Sequence, residues 1–381
     1  MIMDYNEYEL GQLLPYIQPT KYIVESTDYN NDYKTPVLTA GKTFVLGYTN
    51  EENGIYEDLP VIIFDDFTTA SKYVNFSFKV KSSAMKILKP DTKLVDPKYI
   101  YYRMQIINID HSTHKRYWIQ QFSKIKVSIP PIEEQRRIVS RIEELFSELD
   151  SAVETLQKTR QQLEIYRQAV LKEAFEGDYR QTPLKKISKT ISGYAFKSKK
   201  YSSEGEYTVI KIGNVKPFRF DFSRDHTKTN EVDESILYKY LLKKGDCLIT
   251  LTGSRGKRDY GYVAMITDQT NYLLNQRVAA LRFDTSIAFP KFYQYYLSSP
   301  QYRNIFFSYE TGNVGQGNVG IKALIEPNVI IPSINDQILI VKEIENRFSV
   351  CDNIEKIVNE CLQQAEAMRQ SILKKAFEGE L

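Results

Sequence analysis

Two stretches of the chain carry apolar residues in steps that alternate four and three. In the first they fall at Ile138, Ile142, Leu145, Leu149, Ala152, Leu156, Leu163, Tyr166 and Val170, with Thr159 interrupting. In the second they fall at Ile340, Ile344, Cys351, Ile354, Val358, Cys361, Ala365, Met368 and Ile372, with Arg347 as the misfit. Such spacing lays one narrow apolar stripe along a helix, and a stripe held this long predicts a coiled-coil seam. The flanks agree. Pro130 and Pro131 precede Glu133 and Glu134, whose charges suit a helix N-terminus. Ser333-x-x-Asp336 resembles a capping box. Gly177 and Gly379 stand where a left-handed C-cap is expected. Each helix is expected to run about 45 residues, or roughly 68 Å.

The two stretches are copies of each other. Residues 129–179 and 331–381 align without a gap at an offset of 202, with 22 of 51 positions identical. The chain therefore reads as two copies of one unit, each a mixed domain followed by a long helix. A single helix cannot bury its own stripe. The two copies are expected to pair antiparallel about a pseudo-two-fold axis; packing of each stripe on its own domain is the competing arrangement.

The remaining sequence is rich in short β-type runs, among them VIIF (61–64), YTVIKI (207–212), CLITL (247–251) and RVAALRF (277–283), separated by Gly, Asn and Asp turns. PKYIYYRMQII and PKFYQYYLSSPQYRNIF read as helices at similar places in the two copies. The expected class is α+β, with domains at 1–130 and 179–332 and helices at 131–178 and 333–381.

Composition narrows the picture only slightly. The formal charge is +3, so any nucleic-acid contact must rest on local patches rather than on the total. Cys247, Cys351 and Cys361 have no metal or redox spacing and fit a reducing compartment. The N-terminus lacks a signal-peptide pattern, and no run of 18 apolar residues occurs. A soluble cytoplasmic protein is expected. The 28 tyrosines suit either base stacking or half-buried strands.

IPPIEEQ followed by a long helix ending in LKEAFEG, and IPSINDQ followed by one ending in LKKAFEG, resemble the specificity subunit of type I restriction–modification systems. GYAFKS, VIKIGNV, LKKGDCLITLTGSRGK, LLNQRVAALRF and ETGNVGQGNVG add to the resemblance in the second domain. The first domain is the looser match, with FDDFTTASK at the place of the TGSRGK loop and no glycine-rich final loop. The resemblance implies two target-recognition domains at opposite ends of an antiparallel coiled coil, each reading one half of a split site in double-stranded DNA. It implies two adenine-N6 methyltransferase (M) subunits on the helices, with restriction and translocase (R) subunits joining them. It implies no catalysis by the chain itself, no cofactor and no membrane. A targeting subunit of another phage-defence complex and a methyl-donor-binding enzyme are the alternatives.

Gly315-Gln-Gly317-Asn-Val-Gly320 is a literal G-x-G-x-x-G. A dinucleotide cradle must follow a strand and open a helix of a βαβ unit, but Pro327 stops the segment IKALIE after a few residues. In the first copy the same place holds Thr113-His-Lys-Arg-Tyr-Trp118. That exchange suits a recognition loop, with glycines for close approach and Gln316 and Asn318 on base edges or phosphates. The turn Ser254-Arg255-Gly-Lys257-Arg258 is expected to contact phosphate. Lys211, Asn214, Asn275 and Gln276 are further candidates, with Thr68, Lys115, Arg116 and Tyr117 in the first domain; Trp118 suits core or contact equally. His111-x-x-His114 lacks a third metal ligand nearby, and Asp65-Asp66 suits a strand-end turn. There is no Asn/Asp-Pro-Pro-aromatic motif for amino methylation and no helicase motif.

Overall fold

The computed structural model describes residues 5–41, 43–109, 116–230, 232–268, 271–313 and 315–381. The chain divides into two compact units. The first comprises the residues up to Leu156 together with Asn359–Leu381, and the second is Gln157–Val358. Helix α2 (Ile132–Ala174) and helix α4 (Ile334–Glu378) are the predicted long helices. The division cuts both of them, so each unit holds one mixed domain and one half of each long helix.

In the first unit a four-stranded sheet runs β1 (Tyr16–Ile17), β4 (Met85–Leu88), β2 (Val61–Asp65), β3 (Ser71–Val74), all antiparallel. One face, with Ile62, Phe64 and Leu88, packs on Trp118, Phe122 and helix α1 (Pro97–Gln105). Asp96 caps α1 by accepting from Lys98 N–H at 2.9 Å and Tyr99 N–H at 3.0 Å. In the second unit the sheet order is β5 (Ser188–Ser192), β9 (Val278–Phe283), β6 (Cys247–Thr250), β8 (Val263–Met265). Its core gathers Ile249, Val263 and Leu281 with helix α3 (Pro290–Tyr296). Many tyrosines are core here. Tyr293 donates its hydroxyl to Ile330 O and Tyr302 to Leu324 O, both at 3.0 Å, so each ring is buried without stranding a polar atom.

The long helices pair antiparallel inside each unit. In the first, Ile142 meets Leu373 and Ala376, while Asp150, about two turns further on, meets Arg369. In the second, Arg167 bonds Asp352 and Glu355, and Glu173 bonds Arg347. Rising numbers on α2 meet falling numbers on α4. Ile142, Leu149, Leu163 and Val170 are buried as expected, as are Ile344, Cys351, Val358 and Ala365. Ala152, Tyr166, Ile354 and Met368 are exposed instead. A straight helix of 3.6 residues per turn drifts about 20° per heptad against a 3.5 repeat. The inner face therefore moves on by one residue, to Val153, Arg167, Glu355 and Arg369.

Each domain is fastened to the start of one helix and the end of the other. Gln135, fully buried, donates to Leu94 O at 3.1 Å and Pro130 O at 2.8 Å and accepts from Asp96 N–H at 2.7 Å. Gln337, 202 residues later, donates to Ile287 O and Pro332 O at 2.9 Å and accepts from Phe289 N–H at 2.7 Å. Phe377 near the end of α4 packs on Tyr99 of α1, and Phe175 just past α2 packs on Phe292 and Tyr296 of α3. These are the ends of the repeated IP-x-I-x-x-Q and K-A-F-E-G type segments. Ser333 accepts from Asp336 N–H at 3.2 Å at the start of α4. Gly379 ends α4 at φ +79°, with Glu380 N–H donating to Lys375 O. Gly177 does not repeat that cap. Its φ is +159°, and the Tyr179 ring lies where a Cβ would stand.

Candidate nucleic-acid interface

The glycine-rich segment forms a strand, β10 (Gln316–Asn318), that pairs antiparallel with β7 (Thr252–Ser254) from the TGSRGK turn. Two segments singled out separately in the sequence therefore make one two-loop finger. Gly253 and Gly317 lie opposite each other over the buried Tyr260. A Cβ on Gly317 would stand 2.4 Å from Glu310 Oε1 and 2.6 Å from the Tyr260 hydroxyl. Tyr260 donates to Glu310 at 2.6 Å, and burial holds its phenol well above the usual range. Gly312 and Gly315 adopt left-handed φ of +125° and +91°. The helix that follows, Ile321–Ile325, has five residues. The glycines thus serve a tight loop crossing and do not open the βαβ unit of a dinucleotide cradle.

Around this finger the basic residues divide into tethered and free. Arg255 donates to Gly312 O at 3.0 Å and lies 3.8 Å from Glu310, tying one loop to the other. Arg258 holds a left-handed φ of +49° with its guanidinium 5.0 Å from the Phe307 ring. Ser254 donates its N–H and hydroxyl to Asp259 at 2.6 and 3.0 Å, and the first of these holds that carboxyl below its usual range. Lys257 is exposed and makes no hydrogen bond or ion pair with the described residues. Gln316 and Asn318 point exposed side chains from the finger. Arg303, not anticipated from the sequence, clamps the turn by donating to Gly261 O at 2.9 Å and Arg258 O at 3.2 Å.

Other candidates change role. Asn214 is 1% exposed; its amide donates to Asp221 O at 3.1 Å and Asp225 O at 2.6 Å and accepts from Lys211 N–H at 2.9 Å. Lys211 bonds Asp225 at 3.0 Å and lies 4.7 Å from the Tyr201 ring. Both hold a turn together; burial takes Asn214 out of reach of a ligand, while Lys211 stays partly exposed. Asn275 is buried, whereas its neighbour Gln276 is exposed.

In the first domain Asp65 Oδ1 accepts from Phe67 N–H at 2.8 Å and Thr68 N–H at 3.2 Å, the strand-end turn expected of it. Thr68 and Arg116 are exposed, as is Phe67. Tyr117 is 2% exposed and donates its N–H to Asp66 O, so it is a core residue rather than a contact. Trp118 is core as well, with its N–H on Asp66 at 2.8 Å. Lys115, with His111 and His114, lies outside the described residues.

The family described as "Type I restriction modification DNA specificity domain" matches residues 3–164 and 176–364. The chain belongs to this family. It is 52% identical over 126 residues to the type I restriction enzyme EcoR124I/EcoR124II specificity subunit of Escherichia coli, a match covering 32% of this chain and 31% of that one. It is 28% identical over 277 residues to the EcoKI specificity subunit of Escherichia coli strain K12, covering 68% and 58%. These matches span less than two thirds of the relatives' own length. A chain solved in work on complex assembly and conformational transition of the type I R-M system shares the fold, with a TM-score of 0.69 and 17% identity over 99% of this chain and 98% of that one. Within a specificity-domain chain the quoted motifs acquire structural reasons. Gly193 of GYAFKS lies under LLNQRV so closely that a Cβ would meet Asn275 O at 1.8 Å.

Proposed function

We propose that this chain is the DNA sequence-specificity subunit of a type I restriction–modification complex and carries no chemistry of its own. Each mixed domain reads one half of a split target in double-stranded DNA, and the paired helices carry two adenine-N6 methyltransferase subunits, to which restriction and translocase subunits are added. The observation that carries this reading is the duplication of one reader unit with different loop chemistry in each copy. The second domain presents a glycine-built finger with exposed Gln316, Asn318 and Lys257, and the first presents Thr68 and Arg116.

Helix surfaces support the scaffold role. In the second unit Val350, Ile354 and Ile357 of α4 fall at i, i+4 and i+7 and are exposed, as is Tyr166 of α2. An apolar stripe that the chain leaves open suits a partner helix. No described helix is long and apolar enough to cross a membrane, and we place the complex in the cytoplasm, where its DNA target lies.

Mapping N6-methyladenine in cells that express the chain with its methyltransferase partner tests the proposal. A two-part motif separated by unspecified bases is expected. Methylation at a single continuous word, or none that depends on this chain, would overturn it.

A further inference from the structure

Arg277 holds an unfavourable backbone conformation at the rim of the finger. Its φ is +68°, a region that residues with a Cβ rarely occupy. The surrounding chain imposes it from both sides. Gln276 N–H donates to Tyr194 O at 2.9 Å, Leu251 N–H donates to Arg277 O at 2.9 Å, and Gly193 N–H donates to Val278 O at 3.1 Å. Backbone strain that neighbours over-determine is characteristic of positions that present a side chain for function.

The side chain is available for such a role. Arg277 is exposed and makes no hydrogen bond or ion pair with the described residues. Arg282, five residues later, is by contrast fixed on Asp246 at 2.7 Å through two bonds. Arg277 borders a cleft of about 270 Å³ with Lys216, Thr252, Tyr262 and Gln316. Lys216 also makes no ion pair with the described residues, and Thr252 Oγ1 is buried with no hydrogen-bond partner among them. Asp259 lines the cleft too, but its oxygens are engaged by Ser254. The cleft is thus rich in donors and calls for a ligand whose acceptors are close together.

The geometry points to Arg277 as a specificity-determining residue that reads a guanine in the half-site of the second domain, an inference that rests on the DNA-reading proposal above. Guanine O6 and N7 form the planar pair of acceptors that a guanidinium fork matches. A phosphate needs only positive charge, which an ammonium such as that of Lys216 in the same cleft already offers. An exposed guanidinium on a fixed backbone, bordering a cleft with an amide and a hydroxyl that lacks a partner among the described residues, suits a base edge better. Gln316 is then placed to contact the neighbouring position.

The test uses the full chain with its methyltransferase partner, a pool of randomised duplexes, and sequencing of the bound fraction. Arg277→Gly and Arg277→Lys are compared with the native chain. Glycine accepts a φ of +68° without strain, so the first variant keeps the fold, and an unchanged unfolding midpoint checks this. Lysine keeps the charge but loses the fork. Both variants are expected to lose preference for one G·C pair in one half-site by roughly tenfold or more. The other half-site, read by the first domain, stays as selective as before and serves as the control. Retention of every base preference by Arg277→Lys, with Arg277→Gly weakening all sequences alike, would identify a phosphate contact and overturn the guanine assignment. Unchanged selection by both variants would overturn it as well. Absence of any split motif with the native chain would remove the DNA-reading proposal and this assignment together.

Discussion

The guanidinium of Arg167 lies 5.3 Å from the ring centre of Phe348, and the same group donates to Asp352 Oδ1 at 2.8 Å. Shifted by 202 residues, the relationship recurs with the helices exchanged. Arg369 lies 4.8 Å from the Phe146 ring and pairs with Asp150. Arg, Phe and Asp are identical at all three aligned positions, so each trio is the other's equivalent in the internal repeat. Each one ties α2 to α4 within its own unit and sits at the helix face to which the heptad drift has moved the seam.

This predicts similar consequences from removing either arginine, slightly larger for Arg167, which also bonds Glu355. Arg167→Ala and Arg369→Ala should each destabilise their unit by about 1–2 kcal/mol, through loss of the ring contact and of a charge-assisted bond whose carboxylate remains exposed. Denaturant unfolding of the two variants checks this. A negligible effect from both would mean that apolar packing alone holds the helices together.

Gln337→Ala should cost more. It strands Phe289 N–H and the carbonyls of Ile287 and Pro332 at a fully buried position. Each buried group left without a partner costs about 1–3 kcal/mol. Gln337→Glu should be no milder, because a carboxylate cannot donate to the two carbonyls. Gln135→Ala is expected to do the same to the first unit. Thermal unfolding followed separately for each variant is the measurement, and a loss under about 0.5 kcal/mol would contradict the fastening role.

Gly317→Ala should disable one reader and spare the other. Its Cβ would collide with Glu310 and the Tyr260 hydroxyl, which fix the crossing of β7 and β10. Methylation mapping should then find the half-site of the second domain degenerate or unread, with global stability altered little. Normal recognition of both half-sites by this variant would show that the finger is not a reading element.

Lys257→Ala should behave differently from any change in a base contact. Its side chain is exposed on the turn beside the finger and makes no hydrogen bond or ion pair with the described residues. As a phosphate contact it should lower affinity for all sequences and reduce the slope of log affinity against log salt by about 1. Titrations of specific and random duplexes at several salt concentrations decide this, and a selective loss on the specific duplex alone would reassign the residue to base reading.

Periodicity and repetition made the long helices, their pairing and the duplicated unit legible in the sequence, because helical spacing and a gapless repeat are properties of the chain order itself. So was the exclusion of a dinucleotide cradle, since Pro327 follows the glycines too soon for a crossover helix. The choice among polar and basic residues was not legible. Asn214 and Tyr117 have the composition of contacts, yet both are buried in the fold, and Lys211 is tied to Asp225. Arg277 resembles any strand-flanking arginine until its left-handed φ is seen, with a guanidinium that pairs with none of the described residues. The pairing of β7 with β10 joins residues some sixty positions apart. Helical pattern is local and survives in one dimension. Which side chain is left free for a ligand depends on what the folded chain brings against it, and only the tertiary structure decided that.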